Sequence, residues 1–200
     1  MIFDHSGQVV GQHQLEHRQI LPQAGWVEHD AAEIWERVQE VIAGALKQAN
    51  ILGSDLAAIG LTNQRETTVV WDVTTGQPLS NAIVWQDRRT ADLTSELERI
   101  NEGDWIRKHT GLNLDPYFTS SKFLWWQKNL PEMWAGVESG KYALGTIDSY
   151  LVARLTGGAS HITDCSNASR TQLMNLETGQ WDDELLAAFG IPKSALPAIT

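Results

Sequence analysis

An adjacent cation and anion, Arg65 and Glu66, sit inside the polar cluster Thr62-Asn63-Gln64-Arg65-Glu66-Thr67, directly after the apolar run Ile59 to Leu61. Arg65 offers a fork of donors and Glu66 an acceptor, the properties needed to hold hydroxyl groups. A second apolar run, Thr67 to Asp72, is followed by the turn Thr74-Thr75-Gly76-Gln77-Pro78. A third run ends in Val84-Trp85-Gln86-Asp87, and Asp115-Pro116-Tyr117-Phe118 places another aromatic in a turn. Trp85 and Tyr117 offer flat faces for C–H groups. Ligands of α/β proteins bind at the carboxyl ends of strands, so the pattern reads as a site for a small polar ligand. By spacing alone, Arg65 and Glu66 also fit a surface ion pair of little energetic worth. The two aromatics equally fit ordinary packing.

The elements that must position these groups follow from patterning. Met1 to Asp4 and Gln8 to His17 read as two strands of a hairpin around Asp4-His5-Ser6-Gly7. Asp30 is a good N-cap, Glu33 completes a capping box, and Ile34, Val38, Val41, Ile42, Ala45 and Leu46 form one helical stripe that fades at Asn50 and Gly53. Leu56 to Leu61 is predicted as a strand, and Thr67 to Asp72 pairs with Asn81 to Trp85 as a hairpin. Helices are predicted over Asp87 to Glu102, Thr119 to Asn129 and Thr146 to Leu155, the last stopped by Gly157-Gly158. A short helix from Asp182 to Phe189 ends at Gly190 with Pro192 beyond. No repeat or linker divides the 200 residues, which read as one domain.

Bulk properties exclude several classes. A net charge of −10 disfavours a nucleic-acid surface, which needs clustered Lys and Arg. One cysteine leaves no intrachain disulfide and suits a reducing cytosol. No apolar run approaches the ~20 residues of a membrane helix, and the N-terminus carries no secretory leader. A soluble cytoplasmic protein without membrane insertion is the expectation. The nine tryptophans are dispersed, so most are expected to pack cores.

Several longer motifs occur together: Pro22-Gln23-Ala24-Gly25-Trp26-Val27-Glu28-His29-Asp30, Gly60 to Asp72, Ala82 to Thr90, Asp115 to Phe118, Gly145-Thr146-Ile147-Asp148 and Thr163 to Thr171. With these, the whole chain resembles the glycerol kinases of the FGGY carbohydrate kinase family. The resemblance implies an α/β, ribonuclease-H-like fold of the actin and hexokinase type, a mixed sheet flanked by helices, incomplete here at both ends. It implies that residues 1–200 are most of a substrate-binding N-terminal domain. The family's Asp-x-Gly-Thr-Thr-Ser phosphate loop, its Gly-Asp-Gln-Gln segment and its nucleotide-binding domain are not among these residues. Motif by motif, it makes Arg65, Glu66, Trp85 and Tyr117 the glycerol contacts. ATP and Mg²⁺ are the implied cofactors, bound mainly outside this chain. No catalytic and no metal-binding residue is assigned within it. Glycerol is the implied partner, with ATP and ADP reached through the second domain and self-association left open. Pentulose and gluconate relatives carry a Gly-Gln-Met-His-Gly-like motif at 62–66, which favours glycerol, while a noncatalytic polyol-binding remnant is the reading from another class.

Other features are expected to be structural. Asp87, Asp92, Asp148, Asp164, Asp182 and Asp183 read as caps or solvated carboxylates, the six histidines as surface, Cys165 as packing and Arg88-Arg89 as a solvated helix start.

Overall fold

The computed structural model describes residues 1–99 and 102–200. The chain opens with β1 (Ile2–Phe3), β2 (Val9–Gly11), β3 (Glu28–His29) and the long helix α1 (Ala31–Ala49). β4 (Thr68–Asp72), β5 (Ala82–Ile83), α2 (Ala91–Arg99), α3 (Glu102–Thr110), α4 (Thr119–Asn129) and α5 (Pro131–Glu138) follow. β6 (Tyr142–Thr146), α6 (Ile147–Leu155), β7 (Ile162–Thr163), α7 (Cys165–Ala168), α8 (Asp183–Phe189) and β8 (Ala198–Ile199) complete it.

The central sheet has the order β3-β5-β4-β6, antiparallel throughout. β4 and β6 form the longest ladder, from Thr68 opposite Thr146 to Asp72 opposite Tyr142. Alternation along the two strands sends side chains to opposite faces. Val70 and Leu144 pack with Ile106, Phe123, Trp126, Val137 and Leu185 on one face. Val69, Trp71 and Ala143 pack with Ala31, Tyr150 and Leu151 on the other. The result is helix, sheet, helix, an α/β architecture with sheets flanked by helices as predicted. β1 with β2 and the parallel pair β7–β8 are two small separate sheets.

Two glycines are required by close approach. A Cβ on Gly11 would meet the Ala45 carbonyl oxygen at 2.6 Å and Ala49 Cβ at 2.8 Å, so β2 can lie on α1 only without a side chain there. A Cβ on Gly145 would meet Ser149 Oγ at 2.0 Å, which lets α6 turn back tightly against β6.

Local signals hold where the chain makes its own hydrogen bonds. Asp30 caps α1 by accepting from the Ala32 and Glu33 amides, and Asn50 ends it in the left-handed region. Glu33 does not close the expected capping box but accepts from the Arg18 amide at 3.3 Å. Asp182 caps α8 and Gly190 ends it. The helix predicted over 87–102 begins only at Ala91, because Asp87 is buried and anchors a turn instead; its predicted end reaches positions outside the described residues.

Signals that need a distant partner fail. The second predicted strand shrinks from 8–17 to Val9–Gly11. The predicted strand Leu56 to Leu61 forms no ladder among the described residues, and Ile59 and Leu61 remain exposed. An extended apolar run becomes a strand only when a second backbone pairs with it. α3, α5 and β6 were not anticipated. β6 reads Tyr-Ala-Leu-Gly-Thr, too short and too poor in β-branched residues to announce itself, and is made a strand by β4.

The histidines also depart from expectation. His29 is buried, 3.2 Å from His17 and 2.8 Å from Gln19 Oε1, and His109 Nδ1 lies 2.9 Å from Asp182. His161 is half-buried against Trp71, ring centroids 5.0 Å apart. Burial pushes both the His29 and His161 imidazoles down to about 4 from the usual 6.5. Between those values the unfolded chain holds protons that the folded chain does not, so stability rises with pH across that window. Unfolding at pH 5 should therefore take up about two protons, with a loss on the order of 2 kcal/mol per histidine between pH 6.5 and 4. Urea melts across that range check this; His29→Gln should lower the proton uptake to about one.

Candidate functional site

The segment leading into β4 carries the predicted pair. Glu66 is buried and sits at φ +64°, in the left-handed region that a non-glycine residue rarely adopts. Such backbone costs on the order of 1 kcal/mol or more and persists where its surroundings impose it. Here they do. The Glu66 carbonyl accepts from Thr119 Oγ1 at 3.4 Å, and its carboxylate Oε1 accepts from Arg170 Nε at 2.7 Å. Arg65, next in the chain, points its side chain to the exposed surface. The two residues are thus not an ion pair with each other: Glu66 has Arg170 as its partner.

Asn63 anchors the other side of this segment. Its Nδ2 donates to Asp148 Oδ1 at 3.1 Å, and the same buried carboxylate accepts from Thr146 at 2.5 Å and Thr163 at 2.6 Å. Asp148 is therefore no solvated cap; it ties the 62–66 segment to α6 and β7.

Trp85 follows β5, half-buried, with its amide 3.4 Å from Thr67 Oγ1. Tyr117 lies in the turn between Asp115 and Phe118, where the Tyr117 amide donates to Asp115 Oδ1 at 2.8 Å. The Trp85 and Tyr117 rings meet with centroids 5.3 Å apart and planes inclined at 58°. Arg170 spans the gap between aromatics and carboxylate, its guanidinium 4.9 Å from the Phe118 ring and 5.8 Å from that of Tyr117. Such stacking over an aromatic face is attractive for a guanidinium. The structure therefore gathers Glu66, Tyr117 and Phe118 around Arg170, with Trp85 against Tyr117 and Arg65 next to Glu66 in sequence.

Arg170 carried no predicted role. It is 104 residues from Glu66 along the chain, so no local spacing announces the pair. Its turn is held by Gln172, fully buried at φ +63°, which accepts from Ser120 and donates to the Asn113 carbonyl, both at 2.6 Å.

Behind Trp85, Arg89 is not a solvated helix start. It is buried between Asp87 and Glu28, at 2.8 and 2.7 Å, with Trp26 3.7 Å beneath its guanidinium. Asp87 accepts from the Val27 amide as well, locking the Trp85–Asp87 turn to β3. Cys165, expected to pack, is exposed at the start of α7.

As chemistry, the cluster provides donors (Arg65, Arg170), a carboxylate acceptor and an aromatic wall. Among the described residues no three His, Cys, Asp or Glu side chains converge as metal donors. This donor set does not fit a resident Mg²⁺.

The Glu66–Arg170 pair has a measurable signature. Glu66 keeps only 3% of its side-chain surface exposed, so removing Arg170 strands a buried carboxylate. Arg170→Met should lower the unfolding free energy by about 2–3 kcal/mol, and adding Glu66→Gln should recover more than half of that loss. Chemical denaturation of the two single variants and the double variant measures the coupling.

The geometry has close parallels. All 200 residues match the model of the N-terminal domain of the FGGY family of carbohydrate kinases. The chain is 54% identical over 202 aligned residues to glycerol kinase 1 of Streptomyces coelicolor, covering all of this chain and 40% of that protein. It superposes on the crystal structure of Plasmodium falciparum glycerol kinase with ADP at a TM-score of 0.94, with 36% identity, over 98% of this chain and 39% of that one. Gluconate kinase from Lactobacillus acidophilus follows at a TM-score of 0.88 and 27% identity, over 99% and 38% of the two chains. The chain spans about 40% of the length of the curated relatives it matches. No helix among the described residues is long and apolar enough to cross a membrane. With sheet, flanking helices and sequence in agreement, the chain belongs to the FGGY family of carbohydrate kinases and corresponds to that family's N-terminal domain.

Proposed function

We propose that these residues form the glycerol-binding side of a glycerol kinase, which transfers the terminal phosphoryl group of ATP to glycerol and yields sn-glycerol 3-phosphate. The observation that carries this reading is the convergence of the Trp85–Tyr117 wall with the buried, Arg170-held carboxylate of Glu66. Glycerol has three hydroxyls and one hydrocarbon edge. The edge lies on the aromatic wall, while Glu66 accepts from one hydroxyl and Arg65 donates to another. Hydroxyl recognition of this kind discriminates strongly, because an analogue lacking the group leaves buried partners unpaired. The likeness of the backbone to a gluconate kinase does not choose the substrate; the side chains at 62–66 do, and here they are Thr-Asn-Gln-Arg-Glu.

Phosphoryl transfer needs a carboxylate to take the hydroxyl proton, and a cation and backbone donors to hold the polyphosphate in line. In this reading ATP, Mg²⁺ and the base are brought by polypeptide outside these 200 residues, in the cytoplasm. The 200-residue chain by itself then binds glycerol and turns nothing over.

Both halves are testable. Glycerol at about 100 times its Kd should stabilise the chain by about 2.7 kcal/mol and raise its Tm, with no shift for xylulose or gluconate and none in Arg65→Ala. Equal shifts with gluconate, or a glycerol shift that survives Arg65→Ala, would sink the binding assignment. The turnover half fails if the purified chain releases ADP from ATP in a glycerol-dependent way that Arg65→Ala abolishes.

A further inference from the structure

Lys122 is fully buried in the first turns of α4, and every energetic argument about that helix disfavours it there. A cation at a helix N-terminus opposes the helix dipole. Burial also pushes its ammonium down to about 7, against the attraction of Asp87, Glu66 and Asp115. An apolar side chain of similar volume would fill the same space at lower cost.

What Lys122 gains instead is specific. Helical side chains tilt toward the N-terminus, and Nζ reaches past the end of α4 to three successive carbonyls. It donates to Pro116 O at 3.0 Å, Tyr117 O at 2.6 Å and Phe118 O at 3.1 Å. An ammonium has three hydrogens and no acceptor, so one group bonds three successive carbonyls, the last of which also accepts from Ser121 Oγ at 3.1 Å. Turning those carbonyls inward at one point fixes the direction in which the turn presents the Tyr117 ring. The Tyr117 and Phe118 amides complete the lock by donating to Asp115 Oδ1 at 2.8 Å and Asp115 O at 3.2 Å.

We propose that Lys122 is a positioning residue for the aromatic wall: its ammonium pins the Pro116–Phe118 carbonyls and thereby holds Tyr117 against Trp85. In its consequence for ligand affinity this rests on the polyol-binding reading; in its consequence for the turn it does not.

The test separates the two. Amide hydrogen exchange on the 200-residue chain without ligand should show about tenfold faster exchange at Tyr117 and Phe118 in Lys122→Met, while the β4–β6 ladder keeps its protection. Lys122→Arg keeps the buried charge but spreads its donors over a planar fork, so the same amides should lose about threefold. Glycerol binding should weaken about tenfold in Lys122→Met yet change less than twofold when the substitution is made in Tyr117→Ala, since the effect passes through that ring. Unchanged exchange at Tyr117 and Phe118 in Lys122→Met overturns the proposal. If that variant does not fold, unchanged exchange in Lys122→Arg overturns it. A glycerol loss that adds fully to Tyr117→Ala also overturns it. Altered exchange in a chain that binds no glycerol upholds the positioning role and removes the polyol reading.

Discussion

The antiparallel ladder between β4 and β6 is the constraint on which the rest depends. Five residue pairs run from Thr68–Thr146 to Asp72–Tyr142, and both faces are covered by helices. Because the side-chain period is two, a slip of one residue would exchange Val70 and Leu144 with Val69, Trp71 and Ala143, placing each set in the wrong core. The same register places Glu66 two residues before β4 and Asp148 two residues after β6, at one end of the ladder. Packing thereby decides where the site's carboxylates emerge.

That end of the sheet concentrates the buried charge of the described residues. Glu66, Asp87, Arg89, Lys122 and Asp148 are all withdrawn from water there, and each has a specific partner. Withdrawing an ion from water is costly, and pairing repays it without much surplus. A cluster of such groups is a poor way to gain stability and a good way to hold geometry. Three of the links join residues far apart in the chain: Glu66 to Arg170, Asn63 to Asp148 and Arg89 to Glu28. They fasten the 62–66 segment, the Trp85 turn and the Arg170 turn to different elements, so the aromatic wall and the carboxylate keep their relative positions.

The segment leading to the candidate site has no strand pairing among the described residues. Residues 57–65 lack a ladder there, and Ile59 and Leu61 stay exposed just ahead of Arg65 and Glu66 in the chain. Exposed strand edges with apolar side chains invite pairing with another backbone. Thr119 of α4 and Asp148 of α6 thus hold the candidate site by hydrogen bonds, while 57–65 has no ladder among the described residues.

Much of this was determined by sequence alone. Asp30 and Asp182 mark helix starts because a carboxylate bonds the amides next to it, and α4 follows from its own local pattern. Arg65, Glu66, Trp85 and Tyr117 stand out as candidates because they sit in long motifs whose residue types suit hydroxyl recognition, and the family was legible from those motifs in order. Tertiary structure alone decided the remainder. β6 is a strand only because β4 lies beside it, and 57–61 is not one because no backbone among the described residues pairs with it. Arg89, Asp148, Arg170 and Lys122 look like solvated polar residues in the sequence, since nothing nearby in the chain reveals their burial or their partners. Hydrogen bonds within a few residues are written in local spacing. Ladders, buried ion pairs and carbonyl clamps exist only once distant segments have packed together.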